Sequence, residues 1–235
     1  LGVGAGNTPV VIDDTADVLL AVNSIIHSKT FDNGTICASE QSVIVAREME
    51  SAVTAELKTQ GAYLLSDEEH ARLSQFILRS NGTMNPAIVG KSVETVAKLA
   101  GLTHVPASAR VLVARETGVG RGYPYSNEKL GLNLAYTGLP YLYSVLRRCG
   151  YILLWLGAGH TFSIHAQDES VVKRFAAAVP ASRVLVNTPA ALGGIGASTC
   201  LFPALTLGCG AVGGSSSSNN IGPLDLINIK RVAWG

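Results

Sequence analysis

Apolar positions along this chain follow two alternating rhythms. Residues 9–12 (Pro-Val-Val-Ile) form a short continuous apolar run, which reads as a strand. Residues 15–28 then read as a helix, with Asp13, Asp14 or Thr15 near its N-cap. The pair repeats with a strand at 43–46 and a helix at 47–60. Asp67-Glu68-Glu69-His70 opens a helix to about Leu78, and 92–100 is a short helix stopped at Gly101. Strands are predicted at 110–115, 130–136, 161–166 and 183–187, and helices at 140–156 and 168–178. Strands alternating with helices specify an α/β fold with a largely parallel sheet and flanking helices.

Two segments break the rhythm. Residues 188–223 are rich in Gly, Ser, Pro and Asn, and a loop this long in a compact domain is functional or flexible. Residues 226–234 (Leu-Ile-Asn-Ile-Lys-Arg-Val-Ala-Trp) alternate apolar and polar like an edge strand, which needs a partner such as a second subunit.

Composition fits that picture. With 235 residues, 47% of them hydrophobic and 15% charged, the chain can bury a large core and is not disordered. A net charge of +1 makes no electrostatic case for nucleic acid. The basic doublets Arg147-Arg148 and Lys230-Arg231 read as solvated or interface charges. No apolar run reaches the ~18–20 residues that span a bilayer. The four cysteines have neither metal-ligand spacing nor a CxxC pair, so no metal is expected and reduced thiols in the cytosol are the default.

Chemistry concentrates at Cys37. It follows a Phe31-Asp32-Asn33-Gly34 turn and precedes an apolar strand, so a loop presents it at the strand's lip. Held as a thiolate, it is a nucleophile able to carry an acyl group. His160, between a helix and a strand, becomes an acid/base partner only if the fold brings it to Cys37. Glu128 lies at a loop-to-strand junction, where a carboxylate can accept hydrogen bonds from a ribose diol. His165 reads as structural, His27 and His70 as helix-surface residues and His104 as a loop residue. Cys149 reads as core, Cys209 between two glycines as a small packed residue, and Cys200 stays unassigned. The glycine runs 2–7 and 118–122 lack the G-x-G-x-x-G spacing and read as turns.

Taken together and in order, certain stretches amount to a family. They are 4–9 (Gly-Ala-Gly-Asn-Thr-Pro), 28–45 around Cys37, Glu128-Lys129-Leu130, Gly159-His160-Thr161, 186–196, Leu205-Thr206-Leu207-Gly208-Cys209-Gly210 and 226–230. The chain resembles the coenzyme A-acylating aldehyde dehydrogenases. These include the aldehyde dehydrogenase half of bifunctional aldehyde–alcohol dehydrogenases and the acetaldehyde and propionaldehyde dehydrogenases of bacterial microcompartments. The resemblance implies a catalytic domain at 1–210, then a Gly/Ser-rich loop and oligomerisation strand at 211–235. Members carry a Rossmann-type nucleotide-binding domain before the point where this chain opens.

The same resemblance implies an NAD-dependent oxidation of a short aldehyde to acyl-CoA, NADP remaining open. Cys37 would be the nucleophile, passing through a thiohemiacetal and an acyl-thioester, with its own N–H as an oxyanion donor. Glu128 matches the glutamate that holds the nicotinamide ribose, and His160 the histidine near the thiol. Thr188, Pro189, Ala190 and Ala191 are candidates for the substrate wall. Val3 and Gly4 fall on the cofactor side, Val3 where hydrolytic members carry the glutamate that activates water. Valine cannot take a proton, so the thioester should survive for coenzyme A, and loss of such a base typically costs ~10²–10⁴ in rate. A homodimer or homotetramer, partnership with the nucleotide-binding domain, and a cytoplasmic setting, free or inside a microcompartment, complete the expectation. Its rivals are a hydrolytic aldehyde dehydrogenase, a cysteine acyltransferase without redox chemistry, and a non-catalytic oligomerisation fragment.

Overall fold

The computed structural model describes residues 3–235, so Gly2 of the first glycine run lies outside the described residues. Seven strands form one sheet: β1 (Thr8–Ile12), β2 (Glu40–Ala46), β3 (Ala62–Leu64), β4 (Val111–Arg115), β5 (Asn133–Leu139), β6 (Gly159–His165) and β7 (Ala181–Val186). Their order is β3-β4-β5-β2-β1-β6-β7, and every neighbouring pair is parallel. The helices are α1 (Val18–Thr30), α2 (Glu50–Thr59), α3 (Asp67–Ile77), α4 (Val93–Leu99), α5 (Leu142–Trp155), α6 (Glu169–Ala178) and α7 (Ala190–Gly194).

The continuous apolar runs of the central strands have a plain cause: both faces of the sheet are covered. Val10 and Ile12 of β1 and Val43 and Val45 of β2 pack on one side against Ala21, Val22, Ile25 and Ile26 of α1 and Val53 and Leu57 of α2. The intervening Val11 and Ile44 pack on the other side with Cys149, Ile152 and Leu153 of α5 and Phe175 of α6. Alternate residues thus serve opposite layers, as the pleat requires. Leu112 and Ala114 of β4 join α3 and α4 in a third cluster with Tyr125. Each fully buried Leu, Ile or Val contributes about 1.5–3 kcal/mol. Among the described residues no helix is long and apolar enough to cross a membrane.

Several elements differ from the sequence pattern. Helix α1 starts at Val18 because Asp17 caps it, accepting from Leu20 N–H at 3.0 Å. Asp13 is instead occupied by the Thr15 N–H and hydroxyl. Strand β2 begins three residues early, at Glu40, since its first polar residues are fully buried. Strand β5 is shifted from 130–136 to Asn133–Leu139, because Leu130 turns the chain with φ +41°. The three-residue β3 carries too few positions to show a period. His70 is not a surface residue: its ring lies 4.6 Å from that of Tyr125 and its Nε2 is buried. Residues 227–235 form no strand. They pair with no strand among the described residues, and Ile229, Val232 and Trp234 stand exposed.

Because the sheet is all parallel, every strand's amino end lies on the same edge. Gly6 precedes β1, Cys37 precedes β2, Glu128 precedes β5, and His160 and Arg183 sit in the opening residues of β6 and β7. These are five consecutive strands in the sheet order β5-β2-β1-β6-β7. Open α/β sheets usually hold ligands at their carboxyl edge. Here the chemistry-bearing residues collect at the opposite one.

Candidate active site

Helix α1 ends at Thr30, and the chain reverses through Asp32 and Asn33, both left-handed at φ +47° and +50°. Short-sidechain polar residues tolerate that conformation. Asn33 anchors the turn on the carbonyl of Gly90 at 3.1 Å, and Ser39 N–H closes a second turn on Ile36 O at 2.8 Å. Cys37 rides on that second turn, half-buried, three residues before β2.

The segment leading into β1 passes directly against it. A Cβ at Gly6 would overlap the Cys37 carbonyl oxygen and lie 3.0 Å from the Cys37 Cβ, so only glycine fits. The Gly6 N–H donates to Glu128 Oε1 at 2.9 Å. Together, this bond and the close approach to Cys37 join the residues before β1, β2 and β5. The next residue along, Asn7, is fully buried and donates to Ser126 O at 2.7 Å, which fixes the loop that delivers Glu128. Gln41 of β2 does the same from below, accepting from Lys129 N–H at 3.1 Å.

The sequence left the ionisation of Cys37 open. The structure pushes the thiol up, to about 11, first through burial and then through the facing Glu128 carboxylate. Its own backbone N–H and Arg183 act the other way, and Cys209 adds to the rise. The site as it stands therefore holds a thiol at neutral pH, not a thiolate.

His160 is fully buried, with Nδ1 2.9 Å from Thr161 Oγ1 and Nε2 without a partner. Burial and the nearby Arg183 hold it down to about 4, so the ring is neutral at pH 7. No hydrogen bond links it to Cys37 among the described residues. Arg183 donates to His160 O at 3.3 Å. Cys209 is buried as the sequence suggested, its Sγ 3.6 Å from where a Cβ of Gly4 would be. Cys149 is core, His165 is buried in β6 and held at about 4 by burial, and Cys200 is exposed. Val3 is 45% exposed.

Thr188, Ala190 and Ala191 are buried, and Pro189 is partly so. The Ala190 and Ala191 N–H groups are taken, by Glu40 Oε1 at 2.9 Å and Ser28 Oγ at 2.8 Å. Those bonds lock α7 onto the start of β2 and the last turn of α1.

Sequence reasoning passed over a buried charge cluster behind the thiol. Lys29 of α1 and Glu40 of β2 are both fully buried. Burial brings each to about 7 from opposite directions, and Lys29 also faces Glu128. The Lys29 Nζ and Glu40 Oε2 lack hydrogen bonds. Lys129, also buried, donates to Tyr125 O and Asn127 O. Arg183 was missed as well. The available signal was a charged residue at the start of an apolar strand in a parallel sheet, where both faces are covered.

With this geometry in place, likeness to known proteins is informative. The profile of the aldehyde dehydrogenase family matches residues 3–112. The bifunctional aldehyde-alcohol dehydrogenase of Escherichia coli strain K12 is 43% identical over 238 residues, which covers 99% of this chain and 26% of that protein. A probable aldehyde dehydrogenase from Listeria monocytogenes EGD-e shares 59% identity with a TM-score of 0.97, over 100% of this chain and 52% of its own. An acetylating aldehyde dehydrogenase from Geobacillus thermoglucosidasius shares 45% identity with a TM-score of 0.96, over 100% and 51% respectively. The chain thus spans about half the length of these solved structures and about a quarter of the bifunctional protein.

Proposed function

We propose, from the premise that this chain belongs to the acylating aldehyde dehydrogenases, that it is the catalytic portion of an enzyme converting a short aldehyde and coenzyme A to acyl-CoA. The observation that carries this reading is the meeting of Cys37, Gly6 and Glu128 at the amino ends of β2, β1 and β5.

In this reading the Cys37 sulfur, once deprotonated, adds to the aldehyde carbonyl and forms a thiohemiacetal. The Cys37 N–H, on its tight turn, is placed to donate to the developing oxyanion. Loss of hydride from that carbon leaves an acyl-thioester on Cys37. A nicotinamide dinucleotide, NAD in the first instance, supplies the hydride acceptor when bound. The residues here fit its ribose end. Glu128 spends one oxygen on Gly6 N–H, and its other oxygen has no hydrogen bond among the described residues. The sulfur of coenzyme A then attacks the thioester and releases acyl-CoA. His160, neutral with a free Nε2, is the proton acceptor for that thiol. Thr188 and Pro189 stand as wall for the aldehyde's alkyl group.

Among the described residues the carboxylate facing Cys37 is Glu128, already tied to a backbone N–H, and Val3 offers no base. That favours acyl transfer over hydrolysis. A homo-oligomer built through 226–234, a preceding nucleotide-binding domain and a cytoplasmic or microcompartment setting belong to the same proposal.

Mass spectrometry after incubation with acetyl-CoA or propionyl-CoA tests it. One acyl adduct on Cys37, together with coenzyme A-dependent reduction of NAD by an aldehyde in the protein carrying its nucleotide-binding domain, is the expected result. Free acid without coenzyme A would make the enzyme hydrolytic. Acyl exchange without reduction would make it an acyltransferase, and no adduct on Cys37 would leave it a structural module.

A further inference from the structure

Lys129 is fully buried, and no carboxylate pairs with it among the described residues. Its Nζ donates instead to two backbone carbonyls, Tyr125 O at 2.6 Å and Asn127 O at 2.8 Å. Both acceptors precede Glu128 in the chain, while the lysine follows it, so the side chain folds back across the Glu128 backbone. The carbonyl between them, Ser126 O, takes the Asn7 side chain at 2.7 Å. On the far side of Glu128, the Lys129 N–H donates to Gln41 Oε1 at 3.1 Å. Three consecutive carbonyls before Glu128 and the N–H after it are thus tied to the side chains of Asn7, Gln41 and Lys129, all fully buried. A buried ammonium without an ionic partner is costly. Burial accordingly holds this one well below the usual lysine range, and a neutral amine has two N–H donors, one for each carbonyl it meets.

The carboxylate end of Glu128 is held too. Its Oε1 accepts from Gly6 N–H, and the same glycine packs on the Cys37 carbonyl. We propose that Lys129 is a positioning residue for Glu128: by clamping the backbone on either side of it, the lysine keeps the carboxylate on Gly6 with its second oxygen free for a ribose diol beside Cys37. The surrounding segment supplies little stiffness of its own. Gly120 and Gly122 precede it with φ +100° and +88°, and Leu130 follows with φ +41°. Without the amine, the Tyr125 and Asn127 carbonyls lose their side-chain donor, the loop turns them toward water, and Glu128 moves with it. The inference rests on Glu128 being the ribose acceptor of the proposed function, and adds the residue that keeps that acceptor in place.

The test is a double-mutant cycle read by binding rather than turnover. Isothermal titration with NAD, in the absence of aldehyde and coenzyme A, is run on the complete protein with its nucleotide-binding domain. The samples are native protein, Lys129→Met, Glu128→Ala and the double variant. Each single substitution should weaken NAD about tenfold, and the double variant should bind no more weakly than Glu128→Ala, because the lysine acts only through the carboxylate. Native affinity in Lys129→Met would overturn the proposal. So would losses that multiply to about a hundredfold in the double variant, which is the result expected of a lysine that merely stabilises the fold. Native affinity in Glu128→Ala would remove the ribose role of Glu128 itself, and that failure is recognisable because Lys129 is intact in that variant. Should Lys129→Met not fold, Lys129→Gln decides by the same cycle. Its amide keeps two N–H donors on a shorter stem, so its loss should be about threefold and should vanish in the Glu128→Ala background. No loss, or a loss that persists in that background, would overturn the proposal.

Discussion

Glu128 and Gly6 are 122 residues apart in the chain and joined at 2.9 Å, carboxylate to backbone N–H, beside the Cys37 sulfur. The bond fixes a negative charge where it opposes ionisation of the thiol. The same carboxylate that suits a ribose diol thus adds to burial in keeping the nucleophile protonated.

Glu128→Gln should therefore separate two effects. The carboxamide oxygen can still accept from Gly6, but the charge is gone, so the Cys37 pKa falls from about 11. The alkylation profile should shift to lower pH, with the rate at pH 8 rising about three- to tenfold. In the complete dehydrogenase the same substitution should raise KM for the nicotinamide cofactor. Unchanged alkylation would mean that burial alone sets the thiol.

Gly6→Ala tests the close approach. The added Cβ would overlap the Cys37 carbonyl, so either the β1 lead-in or the Cys37 turn must shift. A displacement of about 1 Å at a reacting group costs on the order of 10² in rate. Acylation of Cys37 should fall by about that factor while the far-ultraviolet circular dichroism stays native. Native acylation kinetics would show that the turn is softer than the packing indicates.

Glu40 predicts a pH dependence of stability. Its folded pKa is raised to about 7 from 4.5, chiefly by burial. A raised folded pKa makes the protonated form the stabilised one. The contribution is present in full below pH 4.5 and is lost as pH climbs through 7. The shift corresponds to at most about 3 kcal/mol. Glu40→Gln keeps an acceptor for Ala190 N–H and removes the titration. Urea midpoints of native protein should drop relative to this variant between pH 5 and 7.5. Parallel curves would show that Lys29 compensates the Glu40 charge throughout.

How much of this was legible in advance depends on what periodicity can carry. The alternation of strands and helices was plain, because a sheet covered on both faces needs apolar runs such as Val43-Ile44-Val45. Boundaries failed where a polar residue is buried or a non-glycine turns left-handed. Glu40 opens β2 although it looks like a loop residue, and Leu130 turns where it looks like strand. Cys37, Glu128 and His160 stood out through the motifs around them. That Arg183 donates to the His160 carbonyl did not, because it depends on β7 lying beside β6. The alternating 226–234 segment shows no ladder among the described residues, because a strand takes form only against a partner strand.

The remaining prediction concerns the fate of the thioester. Val3 is exposed, three residues before Gly6, in the segment that leads past Cys37 into β1. No carboxylate stands there to draw a proton from water. Val3→Glu should supply one, and the acyl adduct on Cys37 should then decay by hydrolysis up to ~10²-fold faster in the absence of coenzyme A. Val3→Gln, equal in size and unable to act as a base, should leave the adduct as long-lived as in the native protein. Intact-mass measurement of adduct lifetime, paired with an assay for free acid, reads both. If the glutamate variant holds its adduct as long as the glutamine one, the thioester is protected by exclusion of water around Cys37 rather than by the lack of a base. Selectivity for coenzyme A would then reside in the packed walls, not in the residue at position 3.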